Sequence, residues 1–156
     1  MIRVQREDFD LGAELAALSR DNPKIGGLAA FVGLVRDMAG ETEVEAMTLE
    51  HYPGMTERQL ERIEAEARRR WPLEASLVIH RYGRLEPGDQ IVLVAAASAH
   101  REAAFEACHF LIDWLKTKAP FWKLEDTPSG PRWVEARESD DAASEKWRDS
   151  GSEAAE

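Results

Sequence analysis

The segment Lys116-Thr117-Lys118-Ala119-Pro120-Phe121-Trp122-Lys123 gathers three lysines and two aromatic residues around one proline, at the end of an apolar stretch predicted as a helix over residues 99–118. Proline has no N–H to donate and drives the residue before it out of the helical region, so the chain must turn between Lys118 and Phe121. Lys116 and Lys123 can then face each other across the turn. Two ammonium groups held close raise the cost of charging both, which makes at least one easier to deprotonate than a free lysine. Such a lysine suits a nucleophile or a proton shuttle. Cations in a last helical turn also complement the helix macrodipole, but the Phe121-Trp122 pair beside them favours a built site.

A second cluster, Ser98-Ala99-His100-Arg101, falls at the predicted start of the same helix. Backbone N–H groups, the positive end of the dipole, a histidine and an arginine converge there, which suits a phosphate or a carboxylate. Arg101 could equally pair with Glu102 or Glu106 on an exposed face. Fifteen residues separate Arg101 from Lys116, roughly 22 Å along a helix axis. One small ligand cannot reach both, so either they serve different sites or a second copy of the chain brings its His100 and Arg101 beside Lys116, as a two-fold dimer would.

The 156 residues carry a formal net charge of −10, with 44% hydrophobic and 32% charged residues. That length fits one domain, expected over residues 1–148, with residues 149–156 expected as a disordered acidic tail because they hold no large apolar side chain. An acidic chain has no general grip on nucleic acid, and no apolar run is long enough to span a bilayer. Local cations at Arg36, at His100-Arg101 and at Lys116 to Lys123 then stand out as an anion pocket. The amino terminus lacks the apolar core of a signal peptide, which predicts a cytoplasmic location. The single cysteine, Cys108, excludes an internal disulfide, and its place in a helical apolar pattern reads as core. The four histidines show no close metal-binding spacing, and no metal or cofactor is implied.

The elements that must position these residues follow from periodicity and turn chemistry. Ile2 to Gln5 reads as a strand and Asp10 as the cap of a helix carrying Leu11, Leu15 and Leu18. Leu28 to Val35 reads as a buried strand, Asp37 to Thr42 as a loop, and Val44 to His51 as a strand paired with its predecessor in a hairpin. Thr56 with Gln59 reads as a capping box opening a helix with Leu60, Ile63, Ala67 and Trp71. Ala75 to Tyr82 and Gln90 to Ala97 read as strands joined by a turn at Leu85 to Asp89, and Ser98 as the cap of the long helix. Phe121 to Asp126 and Arg132 to Ala136 are predicted strands around Pro128-Ser129-Gly130. This order of hairpins and helices favours an α+β fold.

With these motifs laid out, the chain closely resembles the large, catalytic subunits of molybdopterin synthases. The resemblance spans about residues 2–147 and rests on several segments. These are Phe31-Val32-Gly33 with Val35-Arg36, Leu49-Glu50-His51-Tyr52-Pro53-Gly54-Met55, Ile79-His80-Arg81 with Gly83, and Pro87-Gly88-Asp89. Further along come Ser98 to Arg101, Ala104-Phe105-Glu106-Ala107, Leu115 to Lys123, and Trp133-Val134-Glu135-Ala136-Arg137.

The resemblance implies an α/β hammerhead fold with a mixed, largely antiparallel sheet. It also implies a central homodimer carrying a ubiquitin-like sulfur-carrier subunit at each end, a heterotetramer. The implied reaction converts cyclic pyranopterin monophosphate into molybdopterin, installing two sulfurs as a dithiolene from the thiocarboxylate at the carrier's carboxyl-terminal Gly-Gly. Carried onto this sequence, Lys116 and Lys123 are the catalytic lysines. Arg36, His100, Arg101 and Arg137 bind the anionic substrate, and Phe31 and Met55 line its pocket. At Lys118, where the family also uses arginine, only the charge is required. A buried Cys108 cannot supply two sulfurs, so an external donor fits. Two other classes use the same residues: a Schiff-base lyase built on a lysine of depressed pKa, and a module that binds a ubiquitin-like tail without catalysis.

Overall fold

The computed structural model describes residues 1–134 and 138–148. Its architecture is α+β, with two four-stranded sheets, a two-stranded ribbon and four helices among the described residues. The first sheet contains β1 (Ile2–Gln5), β2 (Gly27–Leu34), β6 (Leu73–Arg81) and β8 (Gln90–Ser98), in the order β1-β6-β8-β2. Only β1 with β6 is parallel; β6 with β8 and β8 with β2 are antiparallel.

Both faces of this sheet are covered, which explains why its central strands are apolar without a break. Val92, Val94 and Ala96 of β8 face one way. They pack with Leu60, Ile63 and Ala67 of α2 (Met55–Arg70) and Ala104, Ala107, Phe110, Leu111 and Leu115 of α3 (Arg101–Lys118). Leu93 and Ala95 face the other way, with Leu77, Ile79 and Phe9, beneath Leu11, Leu15 and Leu18 of α1 (Leu11–Ser19). The Asp10 side chain accepts from the Ala13 N–H and caps α1 as predicted.

The second sheet is antiparallel throughout, in the order β10-β9-β5-β7. Its strands are β5 (Ala46–His51), β7 (Gly83–Leu85), β9 (Phe121–Thr127) and β10 (Gly130–Val134). Here the structure corrects the sequence reading, since β5 pairs with β9 and β7 and not with β2. The intervening residues, expected as a loop, fold back on themselves as β3 (Met38–Ala39) and β4 (Thr42–Glu43), with Gly40 in the left-handed region. That ribbon consumes the connection and delivers β5 to the other sheet.

Two caps also differ. The helix α2 is capped by Gly54, whose N–H donates to the Glu57 carboxylate at 2.6 Å; Thr56, expected as the cap, lies fully buried inside the first turn. Ser98 ends β8 and donates its hydroxyl to the Pro72 carbonyl, so α3 is capped by His100 with no side-chain bond. A helix absent from the sequence reading, α4 (Glu138–Glu145), packs on α3. Trp147, just beyond it, donates to Asp113 at 2.7 Å. Arg137, the predicted strand residues Glu135 and Ala136, and the predicted tail at 149–156 lie outside the described residues. No helix among those described is long and apolar enough to cross a membrane.

Candidate active site

The turn after α3 forms as the proline requires. Ala119 is extended and donates to the Leu115 carbonyl, and Phe121 N–H donates to the Ala119 carbonyl at 3.0 Å. One buried hydroxyl ties this turn to α2: Thr56 Oγ1 accepts from the Tyr52 N–H at 3.1 Å and donates to the Pro120 carbonyl at 3.3 Å. The Glu-His-Tyr-Pro-Gly-Met segment and the lysine–proline–aromatic segment, far apart in sequence, are thus joined through Thr56.

Beside the turn opens a cavity of about 370 Å³, within the range of small-molecule sites. The end of α3 contributes Lys116, and β9 contributes Phe121, Lys123 and Glu125, alternate residues on one strand face. Arg36 and Leu34 arrive from the end of β2, and Met47 from β5, opposite Glu125 in the register. Three cations therefore share the cavity with one carboxylate, and that carboxylate, on a buried side chain, is held by Arg132 of β10 at 3.0 Å. The remaining positive charge suits a phosphate, a carboxylate or an anion that develops during reaction.

The long helix keeps its two ends apart. Lys116, Lys123 and Arg36 meet in the cavity, whereas His100, Arg101, Phe31 and Met55 do not line it within one chain. His100 and Arg101 are exposed at the start of α3. The chain passes them over Gly26, where a Cβ would meet the Ala99 carbonyl at 2.1 Å, so only glycine allows this approach. Phe31 is 41% exposed on β2 and Met55 52% exposed at the start of α2. Lys118 turns away from the cavity, its ammonium 4.7 Å from the Trp114 ring centroid.

Two groups that sequence reasoning did not assign belong to the cavity lining or stack directly against it. Glu125 is one. The other is His80, buried on β6 with its ring stacked on Phe121 at 3.7 Å between centroids. Burial pushes the His80 pKa down to about 3, opposed by the Arg81 carbonyl and reinforced by Lys116 and Lys123, so the ring is neutral at physiological pH. A histidine directly following the apolar run Leu77 to Ile79 was the available signal. Cys108 is core as read: its thiol donates to the Val94 carbonyl, and burial pushes its pKa up to about 11. Among the described residues no group of three or more His, Cys, Asp or Glu is placed to hold a metal.

A cavity lined by Lys116, Lys123 and Arg36, in an α+β fold whose one cysteine is buried, is the candidate active site of this chain. The chain belongs to the MoaE protein family, whose sequence model matches residues 4–118. It is 59% identical to a molybdopterin synthase catalytic subunit of Pseudomonas aeruginosa over 148 residues, covering 95% of this chain and 99% of that one. A solved molybdopterin biosynthesis MoaE protein from Burkholderia ambifaria superposes with a TM-score of 0.81 at 60% identity, covering 94% and 97% of the two chains. A complex of subunits 1 and 2 of the molybdopterin-converting factor from Helicobacter pylori shares the fold at 19% identity, with a TM-score of 0.72 and 87% and 91% coverage. The function is the family's, the catalytic step of molybdopterin synthesis in molybdenum cofactor biosynthesis.

Proposed function

We propose that the cavity is where cyclic pyranopterin monophosphate receives its two dithiolene sulfurs, with Lys116 and Lys123 as the catalytic cations. The convergence of Lys116, Lys123 and Arg36 on one cavity carries this reading. Each sulfur arrives as the thiocarboxylate at the carboxyl terminus of a ubiquitin-like small subunit, whose Gly-Gly end has no side chains to obstruct a narrow approach. Each thiocarboxylate sulfur bonds to a pterin side-chain carbon as a carbon–oxygen bond at that carbon breaks, the oxygen leaving with the phosphate or as water. A further water then cleaves the carrier's carbonyl–sulfur bond and restores its carboxylate. The lysines stabilise the thiocarboxylate and the oxyanion that forms when water adds to the carbonyl. The two-subunit Helicobacter pylori complex of the same fold supports a small-subunit partner. Exposed Tyr52 and Trp122, packed edge to face at 4.3 Å beside the turn, offer that partner an apolar surface.

The substrate phosphate is held by Arg36, and by His100 and Arg101 of a second copy, with Arg137 assisting. Edge strand β2 supports this arrangement. Arg101 lies against Gly27 at its start, and Leu34 reaches the cavity at its end. Seven residue steps of strand separate these points, about 22–24 Å, close to the span from Arg101 to Lys116 along α3. Two copies meeting antiparallel along this edge, where Phe31 and Leu34 are exposed, would set Arg101 of each beside the cavity of the other. Residues 1–148 act as one unit in this assembly, a homodimer with a carrier at each end, located in the cytoplasm.

The test is dithiolene formation from the cyclic pterin and thiocarboxylated carrier, with wild type and Lys116→Ala each first shown to bind carrier. Product from wild type is expected, with a loss of about a hundredfold or more in Lys116→Ala. Equal product from both would remove Lys116 from the mechanism, and none from wild type would reject the reaction.

A further inference from the structure

The residue beneath the lysines carries more than its burial requires. His80 lies on an inner strand of the first sheet, opposite Val4 of β1 and Val92 of β8, and its ring faces Phe121 of the second sheet at an interplanar angle of 16°. Its Nδ1 is 2.8 Å from the Arg81 carbonyl. A carbonyl only accepts, so Nδ1 carries the hydrogen and Nε2 the lone pair of a neutral ring. Next to this stack, His51 of β5 pairs with Phe121 in the register, and its ring is 4.3 Å from Tyr82, which follows β6. Four rings thus bridge the two sheets directly below the turn.

We propose that His80 is a positioning residue for the lysine pair: anchored by the Arg81 carbonyl, it is the plate on which Phe121 stacks, and so it sets where β9 delivers Lys123 relative to Lys116. The inference rests on the reading of those lysines as catalytic. Phe121 and Lys123 are alternate residues on one strand face, so a shift at Phe121 is passed to Lys123 with little loss. A neutral ring suits this place, because Lys116 from α3, Lys123 from β9 and His51 from β5 all oppose a further positive charge there. An aliphatic side chain would fill the volume but supply neither the stack nor the anchor.

The test measures kcat and carrier KM of dithiolene formation, together with thermal unfolding, for His80→Ala, His80→Phe and Phe121→Leu, each alone and combined with Lys123→Ala. His80→Ala and Phe121→Leu should lower kcat about ten- to a hundredfold and leave the carrier KM unchanged. His80→Phe, which keeps the stack, should recover most of the rate. None should add to the loss in Lys123→Ala, since residues acting through one another are not additive. Should His80→Ala fail to fold, Phe121→Leu, on the half-buried side of the same stack, carries the same prediction. Unchanged kcat per folded molecule, or losses that multiply with Lys123→Ala, would overturn the inference while an impaired Lys123→Ala keeps the lysine reading. A fully active Lys123→Ala would overturn both.

Discussion

That Lys116 and Lys123 meet across one turn could be read from the chain because the constraint is local: a proline fixes the turn, and charge at its two sides needs no tertiary knowledge. His80 and Glu125 could not be read that way. Their positions follow from registers between strands distant in sequence, such as Met47 opposite Glu125 and His51 opposite Phe121. The buried imidazole also makes a prediction about stability. The His80 pKa is about 3 when folded, against 6.5 as its ordinary value, so between these values the unfolded chain binds more protons. Stability from this group is fully present above about pH 6.5 and is lost as pH falls towards 3, by up to about 1.4 kcal/mol per pH unit. Denaturant unfolding at pH 7 and pH 5 should show this loss in wild type and a shallower one in His80→Phe. Equal slopes would contradict a neutral buried His80.

At the scale of elements, alternation and helical periodicity located most strands and three of the four helices among the described residues, since each has one or two faces that must be apolar. Pairing was less legible. The strand β5 could be recognised by its alternation, but nothing local states which sheet it joins, and the short ribbon β3–β4 redirected it. Thr56 shows the same limit: its sequence position suggests a cap, while its fold position makes it the link between two functional segments. Thr56→Val keeps the shape and leaves the Tyr52 N–H and the Pro120 carbonyl without this partner. A cost of about 1–3 kcal/mol in denaturant unfolding is expected, with Thr56→Ser close to wild type. An unchanged midpoint in Thr56→Val would show that the link contributes nothing to stability.

For the whole molecule, an acidic chain of net charge −10 carries cations at both ends of one long helix, too far apart for one small ligand, and the proposed second copy would bring them together. The spacing was legible in the residues alone; the free edge of β2, on which the proposed pairing of copies rests, emerged only with the sheet order. The most direct measurement is therefore complementation between two inactive variants, Lys116→Ala and Arg101→Ala, co-expressed so that mixed dimers form. Each mixed dimer holds one site with both residues intact, so random mixing should restore about a quarter of wild-type dithiolene formation. Mixed dimers confirmed by mass yet as inactive as either parent would contradict a site built from Lys116 of one copy and Arg101 of the other.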